Sequence, residues 1–141
     1  MGRSRADLEA LAGALGLSDC VTFHGWVARA EIAPFYSRAH LLLFPTSSSE
    51  GWPKVISEAM AYGVVPLAGA VSAIPQVLEQ FKVGMAIPPG DVDAYAAAAR
   101  AYLDDPARWT SESRRAMDAA ARFTYRRFMQ DVRRVLDLPA T

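Results

Sequence analysis

Two short apolar runs, His40-Leu41-Leu42-Leu43-Phe44 and Val64-Val65-Pro66-Leu67-Ala68, constrain this chain more than any other feature. A continuous run of this kind is the mark of a strand buried on both faces. Between them lie a polar loop, Pro45 to Glu50, and a helical segment from about Pro53 to Tyr62, with proline at its start and Gly63 at its end. The same alternation continues. A loop from Gly69 to Ala73 precedes a short helix near Pro75–Phe81, and Met85-Ala86-Ile87 is a third short strand closed by Pro88-Pro89-Gly90. Strands alternating with helices predict parallel βαβ units and an α/β layered domain.

The flanking segments are mostly helical. Ser4, followed three residues later by Asp7, caps a helix whose Leu8, Leu11, Ala12 and Leu15 recur at helical spacing until Gly16. Val21-Thr22-Phe23 is a brief strand candidate, ended by His24-Gly25-Trp26. Ile32, Phe35, Tyr36 and Ala39 restore helical spacing, with Pro34 tolerable only in the first turn. Asp91 caps a run to Leu103, Asp105-Pro106 opens another, and Thr124 caps a third whose stripe carries Tyr125, Phe128, Val132 and Val135. No repeat, linker or low-complexity stretch divides the chain, so residues 1–141 are expected to form a single domain.

Composition excludes several functions. With 15 basic and 15 acidic side chains the net charge is zero, which argues against a role in neutralising nucleic-acid phosphates. One cysteine in 141 residues supports neither an internal disulfide nor a cysteine-rich zinc site, and a cytoplasmic setting fits. The start MGRSRADLEA lacks a signal-peptide apolar run, and no stretch approaches the ~20 apolar residues that span a bilayer.

Open α/β sheets bind ligands at the carboxyl ends of their strands, where helix N–H groups converge. The Pro45–Lys54 loop is the richest such place. It offers the hydroxyls of Thr46, Ser47, Ser48 and Ser49, the Glu50 carboxylate, and Gly51, which lets a ligand approach the main chain. Glu58 follows Glu50 with seven residues between, and its side chain leans back toward the helix N-terminus, so both carboxylates can face one crevice. The plainer alternative is that Glu50 compensates the helix dipole and Glu58 is solvated. The apolar neighbours Ile56, Ala59 and Met60 favour a partly buried Glu58 that needs donors such as sugar or ribose hydroxyls.

The stretch from Ser49 to Pro66, SEGWPKVISEAMAYGVVP, resembles the E-x7-E signature of the retaining GT-B glycosyltransferases known as group 1. Val21 to Val27 is similar to that family's V-x-F-x-G-x-V element, and Tyr36 to Pro45 to its Y-x-x-A-x-x-x-x-x-P-S element, with Thr46 for Ser. Ala73 to Leu78 resembles G-I-P-E-I-V, and Gly84 to Gly90 resembles G-x-L-V-P-P-G-D. The resemblance runs from about Val21 to the end.

It implies a Rossmann-like parallel sheet flanked by helices, the C-terminal, donor-binding half of such an enzyme. It also implies transfer of a sugar from a nucleotide-sugar to an acceptor, generally without a bound metal or other cofactor, in settings such as polysaccharide biosynthesis. By position, Glu50 would contact the transferred sugar as the catalytic carboxylate. Glu58 would accept bonds from the ribose diol, and main chain around Gly51, Trp52 and Pro53 would hold sugar and diphosphate. His24 and Gly25 would border the base.

Two features depart from the family. A G-R-x-x-x-x-K-G element, whose cations neutralise the diphosphate, has no match before Val21, where only Arg3 and Arg5 are available. The acceptor-binding N-terminal domain is also expected to be missing, so this chain would be an N-terminally truncated domain, inactive alone. Lys54 is either a compensating cation or an ordinary solvated side chain.

The remaining candidates have plain alternatives. His40 at a strand edge fits a structural role, and Cys20 fits a buried inert thiol. No metal site is expected. From Arg100 onward nine arginines face six acids, either a solvated face or a contact with an anionic membrane surface in a full-length enzyme. Phe123, Tyr125, Phe128 and Met129 would dock the last helix, part of whose stripe would stay exposed. A different class of function is a non-catalytic module serving oligomerisation, for instance a homodimer through surfaces left by truncation. A GT-B epimerase is disfavoured by the fit of Glu50–Pro66, and a phosphorylase by the lack of a lysine suited to pyridoxal phosphate.

Overall fold

The computed structural model describes residues 4–49 and 51–136. The chain divides into two compact units, 1–33 and 34–141, taken here in turn. In the first, helix α1 (Arg5–Ala14) begins at the expected capping box. Asp7 N–H donates to the Ser4 hydroxyl at 3.2 Å, and Ser4 N–H to the Asp7 carboxylate at 2.9 Å. Only Ala12 of its stripe is buried. A 3₁₀ turn follows at Arg29–Glu31.

The strand expected at Val21–Phe23 does not form. Val21 N–H turns back to the Leu17 carbonyl at 3.0 Å, and among the described residues of this unit there is no strand whose ladder could satisfy an extended segment. Cys20, in the same turn, is exposed rather than buried.

The second unit is the α/β layer system. Helix α2 (Ala33–Arg38) carries Pro34 in its first turn, and three parallel strands follow: β1 (Leu41–Phe44), β2 (Val65–Gly69) and β3 (Met85–Ile87). They pair in the order β1-β2-β3, with Leu41 opposite Val65 and Leu67 opposite Met85. Helices α3 (Lys54–Ala61) and α4 (Ile74–Phe81) supply the crossovers, and α5 (Val92–Asp104), α6 (Pro106–Ala120) and α7 (Tyr125–Val135) complete the unit, with a 3₁₀ turn at Ala121–Phe123 before α7. None of the described helices is long and apolar enough to cross a membrane.

Strand alternation sorts the core onto two faces. Ala68 of β2 packs with Ile56, Met60, Ile74, Leu78, Ala116 and Ala119 from α3, α4 and α6. Val65, Leu67 and Ile87 pack with Tyr95, Ala98 and Tyr102 from α5. Ile56 and Met60 are wholly buried, each worth about 1.5–3 kcal/mol of transfer free energy. β2 is buried along its length, as expected, but β1 is not. Leu43, on the edge strand β1, stays 54% exposed.

Candidate functional site

The carboxyl end of the sheet is built by close backbone approach. Thr46 follows β1 with its N–H bonded to the Phe44 carbonyl at 2.8 Å, and its own carbonyl lies so near Gly69 that a Cβ there would collide with it. Glycine at position 69 therefore lets the loop after β1 lie across the end of β2. The Thr46 hydroxyl accepts from Ser48 N–H at 3.2 Å, and Ser47, Ser48 and Ser49 face solvent.

Glu50 lies outside the described residues. Gly51 adopts φ +73° with open space where a Cβ would stand, so glycine is needed there for its left-handed backbone and not for crowding. Pro53 is the N-cap of α3 and supplies no side-chain cap, which leaves the first N–H groups of the helix without a side-chain acceptor from the cap position. Lys54 is exposed in the first turn.

Trp52 is held through its side chain. Its indole N–H donates to the Ser57 hydroxyl at 2.6 Å, and its ring stacks on Phe123 with centroids 5.1 Å apart. Glu58, half-buried on α3, stands beside Tyr36 of α2. Burial first, then the charge and hydrogen bonding of Glu58, raise the Tyr36 phenol above its ordinary pKa, so the neutral hydroxyl is a donor toward the carboxylate. The Tyr36 ring is itself clasped by Tyr62, stacked at 5.6 Å.

Of the residues singled out from sequence, Gly51, Trp52 and Pro53 lie in the loop that enters α3, and Glu58 lies in that helix's second turn. His24 and Gly25 belong to the first unit, where both are exposed and Gly25 has φ +69°. Arg5, considered as a diphosphate cation, pairs with Glu9 at 2.7 Å. His40 has the structural setting expected of it. Its carbonyl accepts from Trp109 Nε1 at 3.0 Å and its ring tilts against that indole. Tyr36 escaped notice as a site residue because its spacing marks only a helix face; the signal was its place in the Tyr36–Pro45 element.

Comparison with known proteins gives this geometry its class. Residues 1–123 match the family described as glycosyl transferases group 1, and the chain belongs to that family. Among curated relatives, the D-inositol 3-phosphate glycosyltransferase of Streptomyces avermitilis is 35% identical over 100 residues, 71% of this chain but 21% of the relative. The chain thus spans about a fifth of that protein's length. Sucrose-phosphate synthase from Thermosynechococcus elongatus superposes with a TM-score of 0.79 at 30% identity, covering 95% of this chain and 35% of that one. Anabaena HepE, solved in complex with UDP, gives a TM-score of 0.82 at 23% identity over 94% of this chain and 36% of its own. The fold is the Rossmann-like α/β fold of the GT-B glycosyltransferases, and the chain is homologous to enzymes that transfer sugars.

Proposed function

We propose that this chain is the nucleotide-sugar-binding domain, residues 1–141, of a retaining glycosyltransferase that moves a sugar from a nucleotide donor to an acceptor without a bound metal. The observation that carries the reading is Glu58: a half-buried carboxylate on α3, the helix that follows the loop after β1, with the neutral Tyr36 hydroxyl beside it. A carboxylate there keeps acceptor capacity for two adjacent hydroxyls, which is what a ribose diol presents. In this reading Glu50 engages the transferred sugar. The amides around Gly51 and Trp52, with the uncapped start of α3, receive the diphosphate. The catalytic gain would come from stabilising negative charge on the departing diphosphate. The family membership and the UDP bound to HepE support a nucleotide donor.

Calorimetric titration of the chain with UDP-glucose and GDP-mannose, repeated on Glu58→Gln, tests the assignment. The variant is expected to lose about tenfold or more in affinity. Equal affinity in both forms removes Glu58 from the ribose. We expect no sugar transfer by the 141-residue chain alone; turnover would contradict this.

A second reading, a module for association, has one observation in its favour. Along α7, Tyr125, Phe128 and Val135 are 78%, 60% and 82% exposed. Light scattering that shows a dimer, together with no nucleotide binding, favours that reading.

A further inference from the structure

We infer that Phe123, in the turn between α6 and α7, is a positioning residue for the donor's diphosphate, acting through Trp52. This rests on the donor reading above and names what holds its loop in place. Gly51 has a left-handed backbone and open space where a Cβ would stand, so no side chain of its own anchors that conformation. Its neighbour Trp52 is fixed at two points. One is local, the 2.6 Å bond from the indole N–H to the Ser57 hydroxyl on α3. The other is distant in sequence. The indole lies flat on Phe123, with an interplanar angle of 17°, and Phe123 meets the Phe81 ring of α4 edge-on at 5.7 Å. The Arg122 guanidinium sits over that same Phe81 ring at 5.7 Å.

The polar atom of Trp52 is already engaged by Ser57, so the indole is not a donor toward the ligand. What Trp52 offers at the start of α3 is main chain, and the aromatic stack sets where that main chain stands. A few tenths of an ångström matter to amides that must converge on a diphosphate. They matter less to a ribose bound through the Glu58 side chain further along α3.

The two effects separate by ligand. NMR titration of the 141-residue chain with UDP and with uridine is expected to show tighter binding of UDP. Phe123→Leu should weaken UDP by about fivefold or more while leaving uridine within twofold of the parent. Phe123→Tyr, which keeps the flat ring, should restore UDP binding. Trp52→Leu with Phe123→Leu should bind UDP no more weakly than Trp52→Leu alone. If Phe123→Leu melts below the titration temperature, Phe123→Met carries the same expectation.

Parent-like UDP binding by Phe123→Leu, or equal losses for UDP and uridine, overturns the positioning role and leaves the donor reading standing. A parent chain that binds UDP no more tightly than uridine, or whose affinity Glu58→Gln leaves unchanged, overturns the donor reading, and this inference falls with it.

Discussion

Two carboxylates on neighbouring helices of the second unit, Glu112 on α6 and Glu58 on α3, have opposite fates. Glu112 is 6% exposed and fully engaged by protein donors. Arg108 Nε reaches one oxygen at 2.8 Å, while the Tyr102 hydroxyl at 2.7 Å and Gly84 N–H at 2.8 Å reach the other. It thereby ties α5, α6 and the start of β3 together. Glu58 is half-buried beside one tyrosine. A carboxylate whose lone pairs are filled by the fold holds the fold; one left with spare acceptor capacity is suited to a ligand.

The largest effect should come from breaking the filled site. Glu112→Ala strands Tyr102 and Gly84 N–H in the interior and is expected to cost about 3 kcal/mol, a fall of roughly 10 °C in melting temperature. The same truncation at the other carboxylate, Glu58→Ala, should change stability by less than about 0.5 kcal/mol. Urea denaturation of the two variants side by side makes the contrast quantitative. Comparable losses in both would mean that Glu58 is structural too.

A smaller effect is expected at Tyr102. Burial, then its bond to Glu112, raises this phenol well above the ordinary value of 10.0. A raised pKa means stability that is complete below the unfolded value and declines as pH climbs from there toward the folded one. The margin of the parent over Tyr102→Phe, about 1 kcal/mol near neutrality, should therefore shrink above pH ~10. A margin independent of pH would show that the hydroxyl is not the donor holding Glu112.

Tyr95 gives the smallest change and the opposite sign. Its hydroxyl is buried and finds no hydrogen-bond partner among the described residues. Tyr95→Phe removes that unmet donor and should stabilise the chain by up to ~1 kcal/mol in thermal melts.

What was legible in the sequence was local. Ser4, Asp91, Asp105 and Thr124 were recognisable as caps because each acts on an amide three residues away, and in the structure all four accept those bonds. The strands β1, β2 and β3 were legible as apolar runs between turn signals. Val21–Phe23 looked the same, yet a strand exists only with a partner, and pairing is not written in three residues. The Glu112 cluster was invisible for a related reason. Arg108 and Glu112 at i, i+4 resemble any solvated helix pair, and only the fold brings Tyr102 and Gly84 to them. The loop and Glu58 were singled out through a motif, while the stack of Trp52 on Phe123 joins residues 71 positions apart and left no trace in spacing.

The central claim is that Glu58 is the carboxylate kept for a ligand, and a crystal of this chain soaked with a mixture of nucleotide sugars tests it most directly. The account predicts density for a nucleotide whose ribose hydroxyls lie within hydrogen-bonding distance of Glu58, with its diphosphate at the start of α3. A nucleotide bound elsewhere, or one whose ribose leaves Glu58 to Tyr36 alone, would contradict it.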